Sequence, residues 1–196
     1  DASRPNRSIS KAVVLMSDLA GYTSLTNRLA GPEWLLLLLD RYLDTVTRDL
    51  QQKYGGWLEN YVADMVCYFW PVLQHGKFCQ TQAEARQQAL AAALTLINRQ
   101  QAFFADLPRH MPELDADTLA YAQAHLYAGV AVCEGEVVLG EFGPRHGSRK
   151  FGILGDPANL ASRLEALTRM FRARLLVSDE LQEVAHHMGL LTRRLA

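Results

Sequence analysis

Two strand-like runs, Trp57–Val62 and Met65–Trp70, are separated only by Ala63-Asp64. So short a link permits an antiparallel hairpin and excludes a parallel crossover. An earlier apolar run, Ala12-Val13-Val14-Leu15-Met16, closes at Asp18, and Lys11–Ser17 reads as a buried strand. Asp18 and Asp64 therefore each stand where a strand ends. A carboxylate at the end of a buried strand costs free energy unless a partner compensates it, and two such groups together most often share a divalent cation.

The rest of the chain alternates in the same legible way. Gly21–Thr26 reads as a loop of small hydroxylated residues, and Gly31-Pro32-Glu33 opens a helix running to about Lys53. Gly55-Gly56 stops it. Ala83–Asp106 reads as a second long helix, with Leu90, Leu94, Ile97 and Phe104 at roughly helical spacing. Pro108–Ala120 is expected to be a loop. His125–Cys133 and Glu136–Phe142 read as a strand pair turning at Glu134-Gly135. A polar tip over Gly143–Ser148 follows, then a strand at Lys150–Leu154. Asp156 is the expected N-cap of a helix to about Phe171, with Pro157 in its first turn. Leu175-Leu176-Val177 is a short strand, and Ser178-Asp179 caps a last helix. This order implies an α+β fold, an α/β sandwich. Its core is a ferredoxin-like βαββαβ unit with a C-terminal extension, one antiparallel sheet carrying helices on one face.

Composition bounds the function. The 196 residues fit one large domain, and a formal charge of −1 excludes a general nucleic-acid binder, which needs a basic surface. Cys67, Cys79 and Cys133 show no disulfide framework or zinc spacing, so a reducing, cytoplasmic setting is expected. The six histidines are scattered, and His186-His187 reads as an exposed pair on a helix. Trp34–Leu39 is too short to span a bilayer, so any membrane anchor would lie outside these residues. The first nine residues read as a linker, with one domain over 10–196.

Three segments carry chemistry. In Asp18-Leu19-Ala20-Gly21-Tyr22-Thr23-Ser24, a strand-end carboxylate precedes a turn whose backbone N–H groups could meet phosphate oxygens. Gly55–Phe69 places Asp64 at a hairpin tip, beside Asp18 if the two strands are neighbours. In Gly155–Glu165, Asn159 and Arg163 share a helix face, while Leu160, Leu164 and Leu167 fall on another. An amide and a guanidinium near a helix start suit an anion and a polar ring. The plain alternative for Arg163 is a surface pair with Glu165.

Taken together, VVLMSDLAGYTSLT (13–26), GGWLENYVADMVCYF (55–69), GEVVLGEFG (135–143) and FGILGDPANLASRLE (151–165) resemble the class III adenylate/guanylate cyclase catalytic domain over about residues 10–180. The resemblance implies that Asp18 and Asp64, with the Leu19 carbonyl, hold two Mg²⁺ or Mn²⁺ ions. It implies that Gly21, Tyr22 and Thr23 meet the substrate phosphates, and that Asn159 orients the ribose. Arg163 would stabilise charge on the α-phosphate. The implied reaction converts a nucleoside triphosphate to a 3′,5′-cyclic nucleotide and pyrophosphate in a head-to-tail homodimer, as a step in second-messenger signalling. The family places base-reading residues where this chain has Asn60 and Gly152. Neither residue matches an adenine pair, and Gly152 alone matches a guanine pair. Relaxed selectivity is therefore expected, with ATP slightly ahead of GTP and a pyrimidine nucleotide still open.

Two further departures accompany the resemblance. Ala63 stands where the family has glycine, which is tolerable if the hairpin tip is not left-handed. The chain also ends at Arg193-Arg194-Leu195-Ala196, before a late strand that carries a triphosphate-binding lysine, so a shortened last hairpin is expected. The alternative from another class is a catalytically degenerate cyclase homology domain that binds nucleotide or a partner as a regulatory module. The altered base pair favours that alternative, and the presence of Asp18, Asp64, Asn159 and Arg163 opposes it.

Overall fold

A computed structural model describes residues 7–73, 79–144 and 146–194. Strand β1 (Arg7–Ala20) runs through the middle of the sheet, longer than its apolar run because one neighbouring strand pairs with it over its whole length, whereas the other pairs with Ala12–Ser17 alone. Its first three residues fall within the span expected to be a linker; residues 1–6 lie outside the described residues. Strands β2 (Trp57–Val62) and β3 (Met65–Pro71) form the expected hairpin. The sheet order is β2-β3-β1-β4-β5, where β4 is Tyr127–Phe142 and β5 is Lys150–Leu154. The β2-β3-β1-β4 portion is the order of a ferredoxin-like core. Strand β6 (Leu175–Val177) pairs with β4 in parallel, so the sheet is antiparallel apart from this strand.

Helix α1 (Tyr22–Thr26) is a single short turn where a loop was expected, started by Gly21 at φ +85. Helices α2 (Pro32–Gln52) and α3 (Gln82–Ala105) cover one face of the sheet. The α3 start is fixed by a capping box in which Thr81 and Glu84 satisfy each other's backbone N–H groups. The expected loop at Pro108–Ala120 contains α4 (Leu107–His110) and the start of α5 (Ala116–His125), where Asp115 caps the Thr118 N–H. Both prolines lie outside the regular turns of α5, so they delimit helices here and do not prevent them.

The expected strand turn at Glu134-Gly135 is absent. Strand β4 passes straight through, pairing Glu134 with Val13 and Gly135 with Ala12. Glu134 can occupy a strand interior because Arg86 and Gln82 of α3 both bind its carboxylate, with Arg86 Nη2 at 3.1 Å. Gly135 is required because Pro157 packs on it; a Cβ there would lie 2.7 Å from Pro157 Cγ. Pro157 belongs to α6 (Asp156–Phe171), whose N-cap is Gly155, one residue before the expected Asp156.

Helix α6 lies on the sheet face opposite α2 and α3, which corrects the expectation of helices on one face. Alternating residues divide the core: Val13 and Leu15 face α2 and α3, whereas Ala12 and Val14 pack with Cys67, Phe69, Ala131, Cys133 and Ala161 of α6. The apolar runs of β1 and β4 are buried on both sides, and α6 supplies the second cover. After β6, a 3-10 turn (Asp179–Leu181) leads into α7 (Gln182–His187). No helix among the described residues is long and apolar enough to cross a membrane.

Glu134 is 2% exposed and Arg86 21%. Removing one partner leaves a buried charge uncompensated, so Arg86→Met should lower unfolding free energy by about 3 kcal/mol in urea titrations. Glu134→Gln in the same background should recover part of that loss.

Candidate active site

The hairpin tip and the end of β1 meet as the sequence requires. β1 and β3 pair from Ala12↔Pro71 to Ser17↔Val66, so Asp18 and Asp64 follow at the open end of the ladder. Asp64 is 7% exposed, and the Leu19 N–H donates to its Oδ2 at 2.9 Å. Asp18 lies beside it and is half-buried. Burial first, then a hydrogen bond and the like charge of Asp18, push the Asp64 carboxyl up to about 7.

Other groups close around the pair. Tyr42 of α2 is buried beneath it, and its phenol is pushed up by burial and by both aspartates. Gly21 begins α1 in left-handed backbone, which favours glycine, and a Cβ there would also press on Leu126 and the His125 carbonyl. That turn carries Tyr22 close enough to Asp64 for the acid to raise its phenol, after burial, while Thr23 is exposed. Asp18, Leu19, Asp64 and Gly21–Thr23 are therefore brought together in one protomer.

A cation not foreseen from the sequence also belongs here. Arg169, on the last turn of α6, donates from Nη2 to Asp18 Oδ2 at 2.7 Å. Glu165, one turn earlier, is buried with its Oε1 lacking a hydrogen-bond partner, and its nearest cation is Arg169 at 3.6 Å. Burial, and to a lesser extent Asp18, push the Glu165 carboxyl up to about 7 against the opposing effect of Arg169. Glu165 thus turns inward, away from the surface pair with Arg163 that was the plain alternative. No local pattern could have linked Arg169 to Asp18 across 151 positions.

Asn159 and Arg163 are not part of this cluster. Both project to solvent from α6, whose Ala161, Glu165 and Thr168 face the sheet. Asn159 is ten residues from Arg169, about 15 Å along the helix at 1.5 Å per residue. Asn60 and Gly152 form a third location. Asn60 is exposed on β2 opposite Cys67, and Gly152 is buried on β5.

Two carboxylates side by side, one of them buried, match the donors a divalent ion needs. Among the described residues no group of three or more His, Cys, Asp or Glu could hold a metal. An ion at Asp18 and Asp64 would thus complete its shell with backbone, water and substrate oxygens, which is how Mg²⁺ usually binds.

No protein-family model matches the chain. It is 25% identical over 171 residues to an adenylate cyclase of Anabaena cylindrica, covering 86% of this chain and 30% of that protein. It is 28% identical over 173 residues to adenylate cyclase 2 of Rhizobium meliloti (strain 1021), covering 86% of this chain and 40% of that protein. The chain thus spans well under half the length of these curated relatives. The crystal structure of the adenylyl cyclase CyaB from P. aeruginosa superposes with a TM-score of 0.74 at 22% identity, over 93% of this chain and 83% of that one. The guanylyl cyclase Cya2 superposes with a TM-score of 0.67 at 21% identity, over 93% and 81%.

Two measurements test this geometry. Ala63 has φ +53, so the hairpin tip is left-handed and its methyl is strained. Ala63→Gly should raise stability by up to about 1 kcal/mol in urea titrations. The second concerns pH. Asp64 and Glu165 keep their protons up to about 7 when folded, whereas unfolded carboxyls release them near 4. Between those values the fold binds more protons than the unfolded chain, so stability of metal-free protein should fall as pH rises from about 4 and level off above 7. Asp64→Asn should flatten that slope, measured as the urea midpoint in EDTA at successive pH values.

With the sequence matches covering most of its length and the solved structures superposing on nearly all of it, the chain has the class III nucleotide cyclase catalytic-domain fold, and the family resemblance carried by its motifs holds.

Proposed function

We propose that this chain is the catalytic unit of a nucleotide cyclase, converting a nucleoside triphosphate to its 3′,5′-cyclic nucleotide and pyrophosphate, with ATP slightly favoured over GTP. The observation that carries this reading is the contact of Asp18 with buried Asp64 at the end of the β1–β3 ladder. Two Mg²⁺ or Mn²⁺ ions held by Asp18, Asp64 and the Leu19 carbonyl would supply Lewis-acid activation of the ribose 3′-hydroxyl and neutralise the triphosphate. The Gly21–Thr23 turn offers N–H and hydroxyl donors to the phosphates. Leu19 orients Asp64 by its N–H, and the buried Tyr42 keeps water from beneath the acids.

Asn159 and Arg163 have the chemistry to orient a ribose and to stabilise developing charge on the α-phosphate. They face outward from α6, Asn159 about 15 Å and Arg163 about 9 Å along the helix from Arg169, so they would act in a second copy. The exposed apolar residues Val62, Phe151, Leu154 and Phe171 give a second copy a surface to bury. A head-to-tail homodimer would then carry two equivalent sites, each incomplete in one chain. The alternative of a regulatory homology domain without turnover predicts no product at all. The cellular role of the product in second-messenger signalling, and a cytoplasmic setting, follow from this reading.

Purified protein incubated with ATP or GTP and Mn²⁺ should release the cyclic nucleotide. Asp64→Asn and Arg163→Ala should each lower the rate by at least about a hundredfold. Mixing the two inactive variants should restore about a quarter of the wild-type rate, because half the dimers are mixed and each holds one intact site. A mixture as inactive as its components would rule out shared sites.

A further inference from the structure

Strands β2 and β5 lie at opposite ends of the sheet order, yet on the α6 side they touch. The Trp57 and Phe151 rings are 5.6 Å apart between centroids. Beside them the Glu59 carboxylate lies directly over Gly152, where a Cβ would fall 2.3 Å from Glu59 Oε2. Two donors hold the carboxylate: Lys150 Nζ gives a hydrogen bond to Oε1 at 2.7 Å, and the Ile153 N–H gives one to Oε2 at 3.1 Å. A β-bulge between Leu58 and Asn60 leaves Glu59 as the extra residue opposite β3. Alternation from Trp57 and Leu58 already turns Glu59 to the α6 side, and the bulge brings Asn60, paired with Cys67, to that same side; the Glu59 charge is felt at the Cys67 thiol.

The Lys150 end of the pair is open to water at 52% exposure, whereas Glu59 is 19% exposed. The pair's chemistry is complementary to one kind of ligand. The ammonium keeps donors beyond the one given to Glu59, and the carboxylate keeps lone pairs beyond the two in use. A donor and an acceptor therefore stand side by side. The six-membered edge of a purine offers the complement: adenine accepts at N1 and donates from its 6-amino group, and guanine accepts at O6 and donates from N1. Strand β5 runs into α6, so this pair shares its protomer with Asn159 and Arg163.

We propose that the Glu59–Lys150 pair, seated on Gly152 beside the β2 bulge, reads the base edge of a purine nucleotide and sets its selectivity, with the Asn60 amide alongside. This rests on the proposed cyclase function and on the family resemblance, which implies that the base lies at Asn60 and Gly152. It supplies what those two residues lack: a charged donor–acceptor pair, contributed by neighbouring positions of the same strands.

The test uses steady-state kinetics and equilibrium binding of a fluorescent ATP or GTP analogue to the full chain with Mn²⁺, for wild type, Glu59→Ala, Lys150→Ala and Gly152→Ala. Purine riboside triphosphate, which lacks the 6-substituent, serves as a reference substrate. Wild type should prefer one of ATP or GTP over the reference, and that substrate identifies the base read. Glu59→Ala should cut kcat/KM for it by at least about tenfold while changing the reference substrate little; Lys150→Ala should do the same where GTP is preferred, and where ATP is preferred it should weaken the reference as well, because purine keeps the N1 acceptor. Gly152→Ala keeps both charges but displaces Glu59, and it should shift selectivity in the same direction with an unchanged Tm, which separates recognition from misfolding. If wild type turns over nucleotides but all three variants keep its ATP-to-GTP-to-reference ratios, the base-reading role is wrong and the cyclase reading stands. If wild type forms no cyclic nucleotide from any triphosphate, both fall.

Discussion

The buried carboxylate of Asp64, tied to the Leu19 N–H and pressed against Asp18, is the constraint on which the rest of this structure turns. Burying one acid beside another costs folding free energy, and nothing in the apolar core repays it. The cost is kept small by three local devices. One oxygen accepts a backbone N–H, a proton is retained up to about 7, and Arg169 sits on the outer oxygen of Asp18. In the proposed function the proton and the Arg169 contact are exchanged for a cation, while the Leu19 N–H keeps Asp64 in place.

The same end of the sheet explains the division of the site. Strand β1 is covered on one face by α2 and α3 and on the other by α6, so the acids emerge from a rigid three-layer stack. Helix α6 contributes to this stack with one stripe and leaves Asn159 and Arg163 on its opposite stripe, facing solvent. A helix cannot turn both stripes toward the same strand ends. Groups that belong to one reaction but stand on opposite stripes are most simply united by a twofold partner.

Much of this was legible in the sequence because it depends on short-range rules. The two-residue link fixed the β2–β3 hairpin to the residue at its start, and the proline and glycine signals placed α2 within a residue of its ends. The adjacency of Asp18 and Asp64 followed once those strands were taken as neighbours. What escaped depends on contacts between distant segments. Glu134-Gly135 has the composition of a turn, yet it lies inside β4 because Arg86 neutralises the acid and Pro157 fills the space above the glycine. The α6 cover on the second sheet face, the Arg169–Asp18 pair and the contact of Glu59 with Gly152 are likewise products of packing, with no periodic trace in the chain. The left-handed Ala63 shows the reverse: the sequence flagged the position, and the backbone geometry decided it.

The most direct test of the shared acidic site is a crystal of the protein grown with Mn²⁺ and a non-cyclisable nucleoside triphosphate, with anomalous data collected at the manganese edge. Peaks within about 2.5 Å of carboxylate oxygens of both Asp18 and Asp64, with Arg169 moved off Asp18, are the expected result. Manganese bound only elsewhere, with the Arg169–Asp18 pair intact and the nucleotide away from the hairpin tip, would contradict it.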